Sequence, residues 1–200
     1  MMSRKWHYHI GVDEAGRGPL AGPVAVAAIM MRPGILRKFR GVKDSKKLSS
    51  LQRERWFAMI LQEKNKGNLD FKVSLVGNGI IDKRGISKAI EIGIMRIFHR
   101  IDANPQKSTV LLDGLLRAPK KFMYQKTHIK GDENFRIISL ASIIAKVTRD
   151  KKMKKLSIIY PQYRFYLHKG YGTSLHIKII KKYRPSAIHR ISFLNKILTI

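Results

Sequence analysis

The apolar residues of this chain follow two periods, and the shorter period, of two residues, is typical of β-strands. It predicts strands over residues 6–12, 23–31 and 69–76. Further along, a short β-branched run over residues 109–112 predicts a strand buried on both faces, and a weaker strand follows over residues 122–129. Five strands are therefore expected.

The longer period, close to that of an α-helix, predicts helices between and after these strands. Helices are expected over residues 50–66, 80–101, 137–160 and 174–183, the first of them capped by Ser49 or Ser50. This order predicts an α/β fold, with a mixed sheet covered by helices, as a single domain over residues 1–200. Its core is expected at about 6–160 and a helical C-terminal part at about 161–200. The apolar side of the first helix should carry Leu51, Trp56, Met59 and Ile60.

Three acidic sites lie at or near glycine, either at the end of an apolar segment or at the start of a helix. The first site is the pair Asp13 and Glu14, the second is Asp113 and the third is Asp132. Glu14 is expected beyond the end of the first strand, where it need not point away from Asp13. Carboxylates at the ends of neighbouring strands can converge, and a cation then relieves their repulsion. Hard divalent ions, Mg²⁺ or Mn²⁺, suit such an all-oxygen set. A turn at Asp113 and a helix N-cap at Asp132 remain alternatives.

The charge of the chain narrows the class of partner. Lys and Arg number 41 against 13 Asp and Glu, a formal net charge of +28. Such an excess favours a polyanion, and nucleic acid is the leading partner. A membrane surface is disfavoured because no helix pairs a basic face with a large aromatic one. The chain has no cysteine, which excludes disulfides and thiolate metal sites. With no apolar run long enough to span a bilayer and no signal-peptide core, a cytoplasmic location is expected.

Six sequence blocks together resemble the ribonuclease HII family, the type 2 ribonucleases H. The first, VDEAGRGPLAGP over residues 12–23, resembles the signature of that family. The others follow in the same order: DSKKL at 44–48, LLDG at 111–114, KGD at 130–132 with ASIIAKVTRD at 141–150, HKGY at 168–171 and HRISF at 189–193.

The resemblance implies a fold, a reaction and a metal site. The implied fold is a ribonuclease H-like mixed β-sheet flanked by helices, with a small C-terminal helical extension. The implied reaction is hydrolysis of the RNA strand of RNA/DNA hybrids and incision 5′ of ribonucleotides in duplex DNA, leaving 3′-hydroxyl and 5′-phosphate ends. Two ions, Mn²⁺ or Mg²⁺, and a monomeric enzyme are further implications. The implied catalytic and metal-binding residues are Asp13, Glu14, Asp113 and Asp132.

The resemblance also implies how the substrate is held. Only its 2′-hydroxyl distinguishes ribose from deoxyribose, and a glycine turn lets the backbone approach that group closely. The implied substrate-binding residues are Gly16, Arg17, Gly18, Ser45, Lys46 and Tyr171. Arg17 could equally pair with the acidic residues beside it. Arg149 and Lys146 are left open between phosphate contact and structure, while His168 and His189 are expected to be structural.

The chain departs from the family pattern at five positions, none of them a carboxylate of the implied site. These positions are Lys43, Gly85, Leu140, Arg164 and Ile191. Two rival functions remain open at this point. A non-catalytic nucleic-acid-binding protein would explain the charge, and another nuclease of the same sheet, such as a resolvase or a type 1 ribonuclease H, would explain the carboxylates.

Overall fold

A mixed five-stranded sheet forms the centre of the computed structural model, which describes residues 7–42 and 45–198. The strands lie in the order β3-β2-β1-β4-β5. The β1–β2 and β2–β3 pairs are antiparallel, whereas β4 runs parallel to both β1 and β5. The predicted mixed sheet is thus confirmed. Its strands are Tyr8–Ala15 (β1), Val24–Met31 (β2), Leu69–Val76 (β3), Ser108–Asp113 (β4) and Gln125–His128 (β5).

The helices of the described residues cover both faces of this sheet. They are Ser50–Asn65 (α1), Asn78–Arg84 (α2), Ile86–Arg100 (α3), Gly131–Asn134 (α4), Arg136–Ile159 (α5), Phe165–His168 (α6), Ser174–Tyr183 (α7) and Asn195–Leu198 (α8). Short 3-10 turns lie at Ile35–Phe39, Ser45–Lys47, Pro105–Lys107, Pro161–Tyr163 and Ile191–Phe193. None of the helices described is long and apolar enough to cross a membrane.

Strand β2 explains why the core divides into two layers. Its even-numbered residues pack with α3 on one face, and its odd-numbered residues pack with α1 and α5 on the other. All eight residues of β2 are buried, so the strand is apolar throughout rather than alternating. In β4, by contrast, Thr109 and Leu111 are only half-buried, and the prediction of burial on both faces is wrong there.

The helix predicted over residues 80–101 is two helices, because Gly85 interrupts it. Gly85 has φ 77° and ψ 161°, a conformation that side chains with a Cβ rarely adopt, and it ends α2 and begins α3. Apolar periodicity alone does not reveal this break. Helix α1 starts as predicted, with a capping box in which the Ser49 hydroxyl accepts from the Gln52 amide.

Two predictions about side-chain direction were wrong in whole or in part. In α1, Ile60 is buried as predicted and Trp56 packs partly buried against the same core. Leu51 is 63% exposed and Met59 is 38% exposed, however, and Phe57 faces the core instead. Strand β1 continues beyond Asp13, so Glu14 lies inside the strand and pairs in register with Val26 of β2. The antiparallel pairing with β2 extends the strand past the point where its apolar run stops.

The C-terminal part of the chain is joined to the loop between β1 and β2. Ala21 forms an isolated β-bridge with His189, and the Leu20 amide donates to the Gly170 carbonyl at 2.8 Å. The Gly22 amide donates to the Ile188 carbonyl at 2.9 Å. Residues 16–23 are therefore held between the sheet and the last third of the chain.

Gly11 lies where β1 packs closely against α5, and its replacement by alanine should destabilise the fold. A Cβ at this position would overlap the carbonyl oxygen of Ile137, a backbone atom that cannot move aside. We expect Gly11→Ala to cost about 1–3 kcal/mol of unfolding free energy, measured by urea denaturation. Gly79→Ala is the matched control, because a Cβ there meets nothing within 4 Å and alanine favours the helix. Equal stability of the two variants would contradict this packing.

Candidate metal centre and substrate-binding turn

Three carboxylates from three separate elements converge at one edge of the sheet. Asp13 lies near the end of β1, Asp113 ends β4, and Asp132 lies in α4. One oxygen from each residue lies within 4.8 Å of the others. The parallel pairing of β1 with β4, with Val12 opposite Leu112, places the first two side by side. The convergence predicted from the sequence is present for these three residues.

Backbone hydrogen bonds hold this acidic group in place. The Gly131 amide donates to Asp113 Oδ1 at 2.7 Å, which ties α4 to the end of β4. The Glu14 amide donates to Asp13 Oδ1 at the same distance. The Ser139 hydroxyl donates to the Asp132 carbonyl at 2.7 Å and fixes the turn between α4 and α5. Both Asp13 and Asp132 are only 3% exposed, so the cluster is largely shielded from water.

Glu14 lies beside this cluster. The hydrogen-bond partners of its two carboxylate oxygens indicate whether a cation fits the site. Oε1 pairs with Arg17 Nε at 2.9 Å. Oε2 is buried and has no hydrogen-bond partner among the described residues. A buried carboxylate oxygen without a donor is costly unless something else binds it. Carboxylate oxygens are the ligands that hard divalent cations prefer, so the donor set fits Mg²⁺ or Mn²⁺.

Burial and mutual repulsion perturb the acidity of this group. Burial, and then the charges of Glu14 and Asp113, raise the pKa of Asp13 well above its usual range. Burial, with the charge of Asp113, also raises the pKa of Glu14, although Arg17 opposes the change. Carboxyl groups that resist ionisation on their own ionise readily beside a cation. The electrostatics therefore favour a bound divalent ion.

The loop that precedes α1 brings a lysine to the metal centre. Lys46 Nζ lies 3.0 Å from Asp132 Oδ2. Ser45 is buried, and its hydroxyl lies 2.7 Å from the Ser142 hydroxyl of α5, so it anchors the loop. The sequence-predicted pair Ser45 and Lys46 is thus placed beside the carboxylates. Lys43, one of the departures from the family pattern, lies outside the described residues.

The glycines of the turn at residues 16–18 differ in their surroundings. Gly16 is buried with φ 96°, and a Cβ there would overlap the Arg149 side chain. Gly18 is exposed, and a Cβ there would meet nothing within 4 Å. The absence of a side chain at Gly16 makes room for an arginine of the protein. At Gly18 it leaves open space in front of the turn.

Tyr171 lies close to the same turn and is 39% exposed. The ring packs beside two cations, with Lys146 Nζ at 5.4 Å and Arg149 Cζ at 5.6 Å from its centre. Lys146 also pairs with Asp150 at 3.0 Å. The ring therefore packs against α5 through Lys146 and Arg149, and the residue remains partly exposed.

Two buried arginines hold the loop at residues 16–23: Arg149, whose role the sequence left open, and Arg190, which the sequence did not single out. Arg149 and Arg190 are both 0% exposed and bind backbone carbonyls of the loop at residues 16–23. The phosphate-contact alternative for Arg149 is therefore wrong. Its position on the same helical face as Ser142 and Ala145, both buried, was the available signal. Arg190 carries no comparable periodicity.

The predicted structural role of the C-terminal histidines agrees with their surroundings. His168 and His176 stack with ring centres 4.2 Å apart, and His176 Nε2 lies 3.1 Å from His189 Nε2. Burial is the main cause that lowers the pKa of His176 and of His189 to about 4. These neutral rings pack against one another and against Phe165 within the C-terminal part.

Replacing Asp13 with Asn should stabilise the metal-free protein. Because the pKa of Asp13 is raised in the folded state, its stabilising contribution is present at low pH and lost as the pH rises through that pKa. At about pH 8 without metal, we therefore expect Asp13→Asn to have a higher thermal midpoint than the wild type. Mg²⁺ should raise the thermal midpoint of the wild type more than that of the variant. Thermal unfolding in EDTA and in Mg²⁺ measures both effects. Identical midpoints in all four conditions would contradict a metal centre here.

Comparison with known proteins identifies the family. A sequence profile described as Ribonuclease HII matches residues 10–196. Ribonuclease HII of Caldicellulosiruptor bescii is 41% identical over 200 residues, covering 100% of this chain and 93% of the relative. That of Fusobacterium nucleatum is 43% identical over 192 residues, covering 94% and 86%. The crystal structure of ribonuclease H2 from Pyrococcus horikoshii superposes with a TM-score of 0.72 at 29% identity, covering 95% of this chain and 96% of that one.

These matches decide between the rival functions. A non-catalytic binding protein is excluded, because the chain is similar over its whole length to metal-dependent enzymes that hydrolyse phosphodiester bonds. A resolvase or type 1 ribonuclease H is excluded by the same family assignment. The chain belongs to the ribonuclease HII family, whose members cleave the RNA strand of RNA/DNA hybrids.

Proposed function

We propose that this enzyme, besides cutting RNA in RNA/DNA hybrids, incises duplex DNA 5′ of a single embedded ribonucleotide, by hydrolysis that uses two divalent cations. One observation carries the proposal. A converging set of carboxylates lies next to a glycine turn with open space at Gly18. A site that reads one sugar through its backbone requires only one ribose, not a continuous RNA strand.

The proposed metal ligands are Asp13, Glu14, Asp113 and Asp132. Bound Mg²⁺ or Mn²⁺ would supply the activation of water and the stabilisation of the leaving 3′ oxygen. The residues themselves hold the site: the carboxylates of Asp13 and Asp113 are fixed by amide hydrogen bonds, and Glu14 Oε2 is buried without a hydrogen-bond partner among the described residues. The rigid strand and helix ends keep these oxygens converged before the substrate arrives.

The proposed substrate contacts surround the metal centre. The turn of Gly16, Arg17 and Gly18 reads the ribose, and Arg17, whose side chain is 53% exposed, can leave Glu14 for a phosphate. Lys46, whose side chain is 77% exposed, reaches a phosphate beside Asp132, on a loop anchored by Ser45. Tyr171, which is 39% exposed, stacks on the neighbouring nucleotide. The exposed lysines of α5 extend this basic surface along the duplex: Lys151, Lys152, Lys154 and Lys155.

The remaining features of the proposal concern the whole protein. We propose that the chain acts as a monomer, as one catalytic domain with its core at about residues 6–160 and its helical part at about 161–200. Removal of ribonucleotides from DNA, a repair activity, follows from incision at a single ribonucleotide. A cytoplasmic location stays a prediction.

Neutralising one carboxylate should abolish cleavage while leaving nucleic-acid binding intact. We expect Asp13→Asn and Asp113→Asn each to lower kcat by about a thousandfold or more, because each removes a charge that holds the cation. Hybrid duplex binding, measured by fluorescence anisotropy, should stay within about twofold because phosphate contacts dominate it. Asp102→Asn, at an exposed position away from the site, is the matched control. Retained metal-dependent cleavage in both variants would contradict the assignment of Asp13 and Asp113 as metal ligands.

Cleavage of a duplex with a single ribonucleotide distinguishes the proposed activity from cleavage of RNA/DNA hybrids alone. Wild-type enzyme with Mg²⁺ or Mn²⁺ should cut a DNA duplex that carries one ribonucleotide, on the 5′ side of that nucleotide. Cleavage of a continuous RNA/DNA hybrid without any cutting at the lone ribonucleotide would restrict the enzyme to hybrids.

The two glycines of the turn should fail in different ways when replaced by alanine. Gly18→Ala places a methyl group in open space, so we expect an unchanged thermal midpoint and about tenfold or greater loss of kcat/KM on the single-ribonucleotide duplex. Gly16→Ala strains a residue with φ 96° and overlaps Arg149, so we expect a loss of about 1–3 kcal/mol of stability. Thermal unfolding and cleavage kinetics on both variants check this. A stable, fully active Gly16→Ala enzyme would contradict the structural role that is assigned here to Gly16.

A further inference from the structure

Two fully buried guanidinium groups hold the substrate-binding turn from behind. Arg149 of α5 and Arg190 of the C-terminal segment are each 0% exposed. Within the described residues, neither forms a salt bridge with a carboxylate. A buried charge without a counterion is costly, and backbone carbonyl dipoles offset that cost here. The role of these arginines therefore lies in the backbone carbonyls that they bind.

Arg190 holds the turn itself. Its Nη2 donates to the Gly16 carbonyl at 2.8 Å, and its Nη1 donates to the Arg17 carbonyl at 2.8 Å. Its Nε donates to the Gly22 carbonyl at 3.0 Å, which closes the loop on the same guanidinium. The planar fork of an arginine suits three carbonyls that approach from fixed directions. Burial, followed by the nearby charge of Arg149, lowers the pKa of Arg190 to about 9, so the group remains cationic at neutral pH.

Arg149 holds the part of the loop that follows the turn. Its Nε donates to the Pro23 carbonyl at 2.9 Å, and its Nη2 donates to the Ala21 carbonyl at 3.1 Å. Its Nη1 donates to the Lys169 carbonyl at 3.0 Å, so the same residue also positions the segment that carries Tyr171. The aliphatic part of this side chain occupies the space that a Cβ at Gly16 would need.

The inward direction of these carbonyls fixes where the amides of the turn point. In a trans peptide the C=O and the following N–H point in opposite directions. Because the Gly16 and Arg17 carbonyls face Arg190, the N–H groups of Arg17 and Gly18 face away from the protein interior. In the described part of the chain, neither N–H donates to another protein group. Both residues are exposed.

We infer that Arg149 and Arg190 are positioning residues for ribose recognition, which set the outward N–H groups of Arg17 and Gly18 at the place of a 2′-hydroxyl. The inference rests on the proposed function of the turn. Neither arginine touches the substrate. The two guanidiniums instead fix the peptide planes in advance, so that the amides need not reorder when the substrate binds.

The test compares Arg190→Lys and Arg149→Lys with wild type on a pair of substrates. One DNA duplex carries a single ribonucleotide, and the other carries a 2′-fluoro-2′-deoxynucleotide at the same place. A lysine keeps the charge but lacks the planar fork. We expect the ratio of kcat/KM for the ribose duplex to that for the 2′-fluoro duplex to fall about tenfold or more in each variant. The rise in thermal midpoint on adding Mg²⁺ should equal that of wild type, because the carboxylates are untouched.

Arg100→Lys is the matched control, because Arg100 also donates to backbone carbonyls, those of Val73 and Arg96, but is exposed and away from the turn. The ratio of kcat/KM values on the two duplexes should remain that of wild type in this control.

Folded Arg149→Lys and Arg190→Lys variants that keep the wild-type ratio would overturn the inference. Failure of both to fold would also overturn it, since the arginines would then serve the fold as a whole. If wild type does not cut the single-ribonucleotide duplex, the proposed function fails instead. The same ratio on an RNA/DNA hybrid and its 2′-fluoro analogue then tests the arginines separately.

Discussion

Repulsion between Asp13 and Asp113 is the constraint around which this structure is arranged. Parallel pairing of β1 with β4 sets the two carboxylates side by side, and α4 adds Asp132 to them. Left in water, like charges would move apart, but here the strands and amide hydrogen bonds prevent separation. The protein thus stores an electrostatic strain that protonation or a bound cation relieves, and the large positive charge elsewhere directs a polyanion to the same place.

Much of this arrangement was predictable from the sequence, because strand and helix periods report directly on burial. The five strands, the start of α1 and the three converging aspartates were all predicted. What the sequence could not supply were features set by tertiary contacts. The break at Gly85 depends on a backbone conformation, and the extension of β1 through Glu14 depends on its antiparallel partner. The direction of Leu51 depends on where α5 and the sheet lie, which helical spacing alone does not specify.

The turn at residues 16–18, which we propose binds the substrate, shows that two glycines of one motif can have different physical roles. The sequence alone predicts one role for both glycines that flank Arg17, which is to let the backbone approach a ribose closely. In the folded protein, Gly16 instead yields its space to Arg149, and only Gly18 faces open solvent. Sequence reasoning could not make this distinction, because the arginine comes from a distant helix. One departure from the family pattern also depends on a backbone conformation. Arg164 adopts φ 51°, where glycine would be unstrained.

The hydrogen bonds from Arg190 to the turn have a consequence for the order in which the enzyme is made. They join residues separated by 173 and 174 positions in the chain. A ribosome releases the acidic strand ends and α5 well before it releases this arginine. During synthesis, a nascent chain can therefore assemble its sheet early. The turn takes its final shape only when Arg190 is in place, so the carbonyls of Gly16 and Arg17 are fixed later than the strands that carry the acidic residues.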